Sequence, residues 1–123
     1  MSLTTLVTGG SAAVREAAIA AAINPAVSTA TILEGIACGS SALDALQTHD
    51  TLQVHRIAPG CMCCIGNLTL RVTLNRLLRK PPQRLFISLA TTTHLAQLRT
   101  FLTNTPYDRL LTLTETMECG TRN

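Results

Sequence analysis

The stretch LTTLVTGGSAAVREAAIAAAI, residues 3–23, decides the fold because it combines a strand, a tight turn and a helix in direct succession. Its first six residues are apolar or β-branched and predict a strand that ends at Gly9 and Gly10. An Ala-rich helix is predicted from Ser11 to about Ile23, where an Asn-Pro pair stops it. A helix that directly follows a strand indicates the start of a crossover between parallel strands.

The same alternation of strand-like and helix-like segments continues along the chain. Further strands and helices are predicted in this order: strand Ser28–Leu33, helix Ser40–Leu46, strand Leu52–Ile57, helix Asn67–Arg79, strand Leu85–Leu89, helix Thr93–Leu102 and strand Leu110–Thr116. Parallel strands need a crossover connection and helices supply it. We therefore expect one α/β domain over residues 1–123, a three-layer α/β/α structure with a mainly parallel five-stranded sheet.

The composition supports one folded domain and excludes one class of partner. The chain has 123 residues, of which 46% are hydrophobic, enough for one continuous core. Aromatic residues make up only 2%, so the chain lacks the stacking platforms that bind single-stranded nucleic acid. The net charge of +3 comes largely from a basic segment between Arg71 and Arg84. This segment is either the solvated face of a helix or a contact surface for an acidic partner. We expect no nucleic-acid partner.

The N-terminal region predicts a cytoplasmic protein with no membrane contact. It lacks a basic start, and its apolar stretches are interrupted by glycine, charged residues and proline, so no signal peptide or membrane span is expected. Five cysteines in a chain without an export signal should be reduced thiols. Metal or redox chemistry is then favoured over a disulfide scaffold.

Cys61, Cys63 and Cys64 are the most specific chemical feature, with three soft ligands inside four residues. They occupy the predicted loop between a strand and a helix N-terminus, whose partial positive charge favours the thiolate form. Three thiolates suit Zn²⁺ or a similar divalent ion, which prefers a tetrahedral shell. The sequence leaves the fourth ligand open among three candidates: Cys38, Glu34 and His94.

Two other interpretations of the cysteines are open. Cysteine is among the most buried residue types, so the three could be core residues, although a polar loop flanked by glycine makes packing a poor explanation. A redox pair is the second rival, but a bridge between adjacent Cys63 and Cys64 would be strained and the spacing is not C-x-x-C. His49 and His55 are expected to be surface or packed histidines, and Cys119 to lie in a fraying tail.

The first strand-turn-helix partly matches the phosphate-binding pattern G-x-x-x-x-G-K-[ST]. Counted from Gly9, the second glycine position is Val14, the lysine position Arg15 and the hydroxyl position Glu16. Valine resists positive φ, arginine lacks a compact ammonium, and a carboxylate repels a polyphosphate. No carboxylate follows the fourth strand at residues 88–93 to orient magnesium. We expect little or no nucleotide binding and no nucleotide hydrolysis, hence no enzymatic role.

The segment PGCMCCIGNL, residues 59–68, resembles the G-C-x-C-C segment of CobW-like metal-chaperone GTPases. Looser similarities follow in the same order as in that family. LVTG at residues 6–9 is similar to the strand that enters the phosphate loop, and ILE at residues 32–34 to the second strand with its acidic residues. YDRLLTLTE at residues 107–115 resembles a D-x-x-x-T-x-x-D strand. Together these segments span most of the chain.

The resemblance implies a P-loop NTPase-like fold and binding of zinc or cobalt by Cys61, Cys63 and Cys64, with Glu34 as a helper. GTPase activity does not carry over, because of the three replaced positions in the phosphate loop. We therefore expect a non-catalytic metal-binding protein that stores, senses or passes on a divalent ion. The alternative is an interaction or regulatory module that pairs with a full-length CobW-like GTPase, or with itself, through a strand edge. Residual nucleotide binding through Arg15 is a third hypothesis.

Overall fold

The computed structural model describes residues 2–24, 26–34, 51–57, 68–89, 95–104 and 107–119. Three helices and six strands lie in these ranges, together with a short 3₁₀ helix at Tyr107–Arg109. The elements are β1 (Ser2–Thr8), α1 (Ala12–Ala22), β2 (Thr29–Glu34), β3 (Leu52–Ile57), α2 (Leu68–Leu77), β4 (Arg84–Ser88), α3 (Leu95–Thr103), β5 (Leu111–Leu113) and β6 (Met117–Glu118).

All strand pairs in the described residues are parallel, and the strand order is β3-β2-β4-β1-β5, with β6 also paired to β1. The central strand is β4, which lies between β1 and β2. Because the strands are parallel, β1, β2, β3 and β4 all end at the same edge of the sheet. Ligand sites of such sheets lie at this carboxyl edge.

The sheet has a hydrophobic core on each face. The larger core joins alternate strand residues such as Leu6, Ile32 and Ile87 to the buried leucines of α2 and α3. The smaller core consists of Val7, Leu33 and Phe86 packed against Ile19 of α1. The α1 helix therefore covers one face and the other two helices cover the opposite face, as the period-two alternation of strand side chains requires.

The helix predicted at Asn67–Arg79 is present as α2, which ends two residues earlier, at Leu77. Along α2 and the turn that follows it, four leucines are buried and the residues opposite them are exposed: Leu70, Leu74, Leu77 and Leu78 against Arg71, Asn75 and Arg79. The helix predicted at residues 40–46 lies outside the described residues, as does Asn67. The described part of the chain is thus an α/β structure with a parallel sheet, as predicted.

The predicted last strand, Leu110–Thr116, is wrong in its extent. The register pairs Thr4 of β1 with Leu113 of β5, but Val7 of β1 with Met117 of β6. The three residues between β5 and β6, 114–116, therefore lie opposite only two residues of β1. One extra residue in a strand is a β-bulge, which interrupts the ladder. The strand therefore ends early, at Leu113, and β6 begins at Met117, beyond the predicted end.

The bulge reverses which face the following side chains occupy. Leu111 and Leu113 pack into the larger core with α2 and α3. Met117 and Cys119, after the bulge, pack against the smaller core beside α1. Without the extra residue, strict alternation would have placed all four side chains on the same face.

None of the helices in the described ranges has the length and apolar character needed to cross a membrane.

Replacing Ile19 with alanine tests whether α1 is held by the smaller core. The side chain is fully buried against the sheet, so Ile19→Ala is expected to lower the free energy of unfolding by about 2–5 kcal/mol. Val72→Ala on α2 is the matched control, because Val72 is 46% exposed and should change stability by less than about 0.5 kcal/mol. Urea denaturation followed by circular dichroism measures both, and equal small effects would contradict this packing.

Candidate functional site

The turn after β1 is built from two glycines in the left-handed region. Gly9 has φ 86° and Gly10 has φ 63°, a conformation that residues with a side chain rarely adopt. A Cβ atom on Gly10 would lie 2.9 Å from Cγ1 of Val14. Glycine at position 10 is therefore needed both for its φ angle and for the close approach of α1.

Two amide groups in the first turn of α1 donate hydrogen bonds to the N-cap residue of the same helix. Ser11 is the N-cap, and its Oγ accepts a hydrogen bond from the Val14 amide at 3.1 Å, while its carbonyl accepts one from the Arg15 amide at 3.0 Å. The helix begins at Ala12, so Val14 lies in its first turn with a helical backbone. The sequence-based expectation that Val14 would need a positive φ at a glycine position does not apply, because the helix has already begun there.

The Arg15 side chain folds into the turn between β1 and α1. Its Nε donates to Ser88 Oγ at 2.7 Å, and its Nη1 donates to the carbonyl oxygens of Gly10 at 2.8 Å and Gly9 at 3.3 Å. The residue is only 3% exposed. These contacts bind the end of β4 to the turn after β1. The guanidinium thus occupies the centre of the carboxyl edge.

Burial lowers the pKa of Arg15 below the usual arginine value, and the negative charges of Glu34, Cys119 and Glu16 oppose that shift. Glu34 has the largest of these opposing effects. A desolvated guanidinium needs charge-assisted hydrogen bonds and nearby carboxylates to stay ionised. The two glutamates therefore belong to the same electrostatic cluster as Arg15.

Glu16 forms a two-pronged ion pair with Arg56 of β3. Arg56 Nη1 donates to Oε2 at 3.0 Å, and Nη2 donates to Oε1 at 3.2 Å. The Glu16 side chain is 1% exposed, whereas that of Arg56 is 32% exposed. The residue that occupies the hydroxyl position of the phosphate pattern is therefore a buried carboxylate that joins α1 to the edge of the sheet. No sequence motif indicates that Glu16 and Arg56 form an ion pair.

Glu34, the described member of the predicted metal set, lies at the end of β2 and is 1% exposed. The register places Glu34 opposite Ile57, the last residue of β3. Ile57 is four residues before Cys61 in the sequence. Its preceding residue, Leu33, is paired with Ser88, the hydrogen-bond partner of Arg15. Glu34 therefore stands between the Arg15 turn and the strand that leads into the cysteine segment.

The other predicted ligands lie outside the described residues. These are Cys61, Cys63 and Cys64, and the two alternative fourth ligands Cys38 and His94. Within the ranges that the structure describes, no group of three His, Cys, Asp or Glu side chains is positioned to hold a metal ion. The metal set thus remains a prediction, and of its members only Glu34, at the end of β2, lies within the described residues.

The expectation that Cys119 lies in a fraying tail is wrong. Its amide donates to the Thr8 carbonyl at 2.7 Å, and its side chain packs against the smaller core. The β1–β6 pairing fixes this segment, and the bulge turns the side chain toward α1. Burial raises the pKa of the Cys119 thiol, with Arg15 acting in the opposite direction.

Cys119 is nevertheless poorly placed to share a metal ion with Glu34. Going from β2 to β6 the sheet passes through β4 and β1, which is three strand spacings. At about 4.8 Å per spacing, the two backbone positions are on the order of 14 Å apart. Arg15 lies between them, so Cys119 and Glu34 are on opposite sides of the guanidinium.

Two further features lie away from this edge. An open depression of 330 Å³ is lined by Ser28, Gln53, Lys80, Pro81 and Pro82, residues at the opposite, amino-terminal edge of the strands. Parallel sheets bind ligands at the carboxyl edge, so the Arg15 cluster is the stronger candidate site. His55 on β3 is half-buried, and burial followed by the charge of Arg76 lowers its pKa.

A scan against protein-family models, a search of curated proteins and a search of solved structures found no match to this chain. The similarity to CobW-like proteins therefore rests on the sequence segments quoted above.

A double-mutant cycle on Glu16 and Arg56 tests whether their ion pair anchors α1. Arg56→Met is expected to destabilise the protein by about 1–3 kcal/mol, less than for a fully buried pair because Arg56 is partly screened by water. In the Glu16→Gln background the same change should cost much less. The exposed Arg79→Met variant controls for loss of one positive charge, and strictly additive effects of the two substitutions would contradict the coupling.

Proposed function

We propose that this chain is a non-catalytic metal-binding protein related to CobW-like metal chaperones. In this proposal Cys61, Cys63 and Cys64 hold Zn²⁺ or a similar divalent ion as thiolates, and Glu34 contributes a carboxylate oxygen. Thiolate sulfur and carboxylate oxygen both belong to the ligand set that Zn²⁺ prefers. The substrate of the protein is then the metal ion itself, held for storage, sensing or transfer.

The observation that carries the proposal is the position of Glu34. A buried carboxylate at the end of β2 is paired in register with Ile57, the residue from which the chain continues into the cysteine segment. The charge of Arg15 already offsets part of the cost of burying Glu34, so the support for a metal comes from the position of Glu34 beside the end of β3. Glu34 therefore ends its strand beside the strand that the cysteine segment follows in sequence.

The arrangement around Arg15 supports a function that does not depend on nucleotide. A phosphate cradle presents backbone amides to its anion. Here the amides of Val14 and Arg15 bond to Ser11, and the carbonyl oxygens of Gly9 and Gly10 accept from the Arg15 guanidinium. A triphosphate would have to displace a buried cation that is bound at three points and would then meet Glu16 and Glu34.

Metal content tests the proposal directly. Protein purified under reducing conditions is expected to carry close to one equivalent of zinc by elemental analysis. The triple variant Cys61→Ser/Cys63→Ser/Cys64→Ser should carry almost none, because it lacks every thiolate ligand. Cys119→Ser is the matched control and should keep its metal, since Cys119 lies on the far side of Arg15. Equal, near-zero metal in all three proteins would rule the proposal out.

A thermal-shift measurement tests the independence from nucleotide. GTP or ATP at 5 mM with Mg²⁺ is expected to leave the melting temperature unchanged, because a ligand without affinity for the native state cannot stabilise it. Arg15→Glu separates the alternatives. A nucleotide-dependent shift that this charge reversal abolishes would support residual binding through Arg15 instead.

A further inference from the structure

We propose that the outward face of α2 binds an acidic segment of a partner protein in an extended conformation. This inference goes beyond metal binding and does not rest on it. The surface, here named the basic face, consists of six exposed residues on α2 and in the turn that follows it: Arg71, Val72, Asn75, Arg76, Arg79 and Lys80.

The charges of the basic face are all positive. Neither α2 nor α3 contains an aspartate or a glutamate, and within the described part of the chain no carboxylate forms an ion pair with a residue of this face. Solvated helix faces usually carry both signs, because opposite charges three or four residues apart attract each other. Solvation of the helix alone therefore explains this pattern poorly.

The positions of these cations weaken the helix that carries them. Arg71 lies in the first turn of α2, where the positive end of the helix dipole disfavours a cation. The negative end of the dipole favours Arg76, but Arg79 and Lys80 follow it three and four residues later, at spacings where like charges repel. A partner that neutralises these charges removes both costs.

The polar groups of the basic face have donors left for such a partner. Arg79 forms no hydrogen bond or ion pair with the residues that the structure describes. Asn75 Oδ1 accepts a hydrogen bond from Tyr107 Oη at 3.0 Å, which leaves the amide nitrogen of Asn75 as a donor. The guanidinium carbon of Arg71 lies 5.9 Å from the centre of the Phe101 ring, a contact that positions it beside α3. Arginine binds carboxylates with two parallel hydrogen bonds, so these groups suit an acidic chain.

The spacing of the donors matches an extended chain. Arg71, Asn75 and Arg79 are four residues apart and form a row along the helix. The Leu78 amide donates to the Leu74 carbonyl at 2.8 Å, so the helical spacing continues beyond the last residue of α2. Four residues of helix span about 6 Å, and two residues of an extended chain span about 6.6 Å. Carboxylates at every second position of an extended segment can therefore contact successive donors of the row.

A protein carboxylate fits the basic face better than other polyanions do. Single-stranded nucleic acid stacks its bases on aromatic side chains, but none of the six residues is aromatic and the Phe101 ring is in contact with Arg71. Helices that lie on membranes insert a broad apolar face, whereas Val72, at 46% exposure, is the single apolar residue of the basic face. The partner is therefore an acidic protein segment.

Fluorescence anisotropy of a short labelled peptide, in which glutamate alternates with serine, tests the proposal on the full chain. The unmodified protein is expected to bind it, and Arg71→Gln/Arg79→Gln should weaken binding at least about tenfold, because two charge-assisted contacts are lost. Arg71→Lys/Arg79→Lys keeps the net charge but loses the two-pronged geometry, so it should weaken binding about threefold or more. Both side chains are exposed, so the variants should stay folded, which circular dichroism checks.

The matched control compares two single substitutions that each remove one positive charge. Arg84 lies on the opposite face of the sheet, with its guanidinium carbon 4.8 Å from the centre of the Phe86 ring in the smaller core. Arg84→Gln should leave the affinity for the peptide within about twofold, because solvent and salt screen a charge at that range. Arg79→Gln should weaken binding about threefold or more. Equal effects of the two would overturn the proposal, since net charge alone would then explain the binding.

Two further probes test the class of partner. A DNA oligonucleotide and vesicles that contain phosphatidylserine should each bind more weakly than the peptide, and tighter binding of either would overturn the choice of an acidic protein segment. Absence of peptide binding at millimolar concentration would overturn the interaction surface altogether. Zinc content, measured in the same preparations, should be unchanged by Arg79→Gln, so failure of this proposal and failure of metal binding are separate results.

Discussion

Burying a guanidinium at the end of a parallel sheet costs several kcal/mol of hydration free energy, which the surrounding groups must offset. Arg15 meets this requirement with three hydrogen bonds, from Nε to Ser88 and from Nη1 to the Gly9 and Gly10 carbonyl oxygens. The backbone of the turn follows from this constraint, since both glycines have positive φ and both carbonyl oxygens accept from the same side chain. The turn therefore binds a cation of its own chain.

The ion pair between Glu16 and Arg56 adds a second charged contact between α1 and the sheet. Arg15 and Glu16 are consecutive, so their side chains leave α1 about 100° apart. One side chain contacts the end of β4 and the other contacts Arg56 on β3. The first turn of α1 is thus fixed by opposite charges to two different strands, while Ile19, about one turn later, is fixed by the smaller core. Arg15, Arg56, Glu16 and Glu34 together carry no net formal charge.

Periodicity was sufficient to predict most of the fold. The leucine spacing of α2 corresponds directly to which side chains are buried, because the core favours one face of the helix. The β-bulge was not predictable, since the sequence from Thr114 to Thr116 carries no glycine or proline to mark it. Its consequence is large, because one extra residue moves Cys119 to the face of α1. A residue interpreted as part of a frayed tail is instead packed beside the candidate site.

The residues of the candidate site could be identified from the sequence, but the contacts between them could not. Comparison with the phosphate pattern identified positions 14 to 16 as altered, and it treated each change as a separate loss of nucleotide binding. The structure relates two of them: Arg15 and Glu16 are both buried and both bind the sheet. That connection depends on side-chain direction and on strand order, neither of which a linear motif contains. The cysteine segment, which the sequence marks most clearly, lies outside the described residues, so its metal set stays a prediction.

The charged side chains at the carboxyl edge each join two or more elements. Arg15 binds the turn after β1 and the end of β4, and Glu16 of the same helix binds Arg56 of β3. If α1 moved relative to the sheet, these groups would be left buried without their partners, at a cost of several kcal/mol. The charged contacts therefore fix the start of α1 relative to three strands. An arginine at the position of the phosphate-loop lysine thus has a structural role that is independent of any nucleotide.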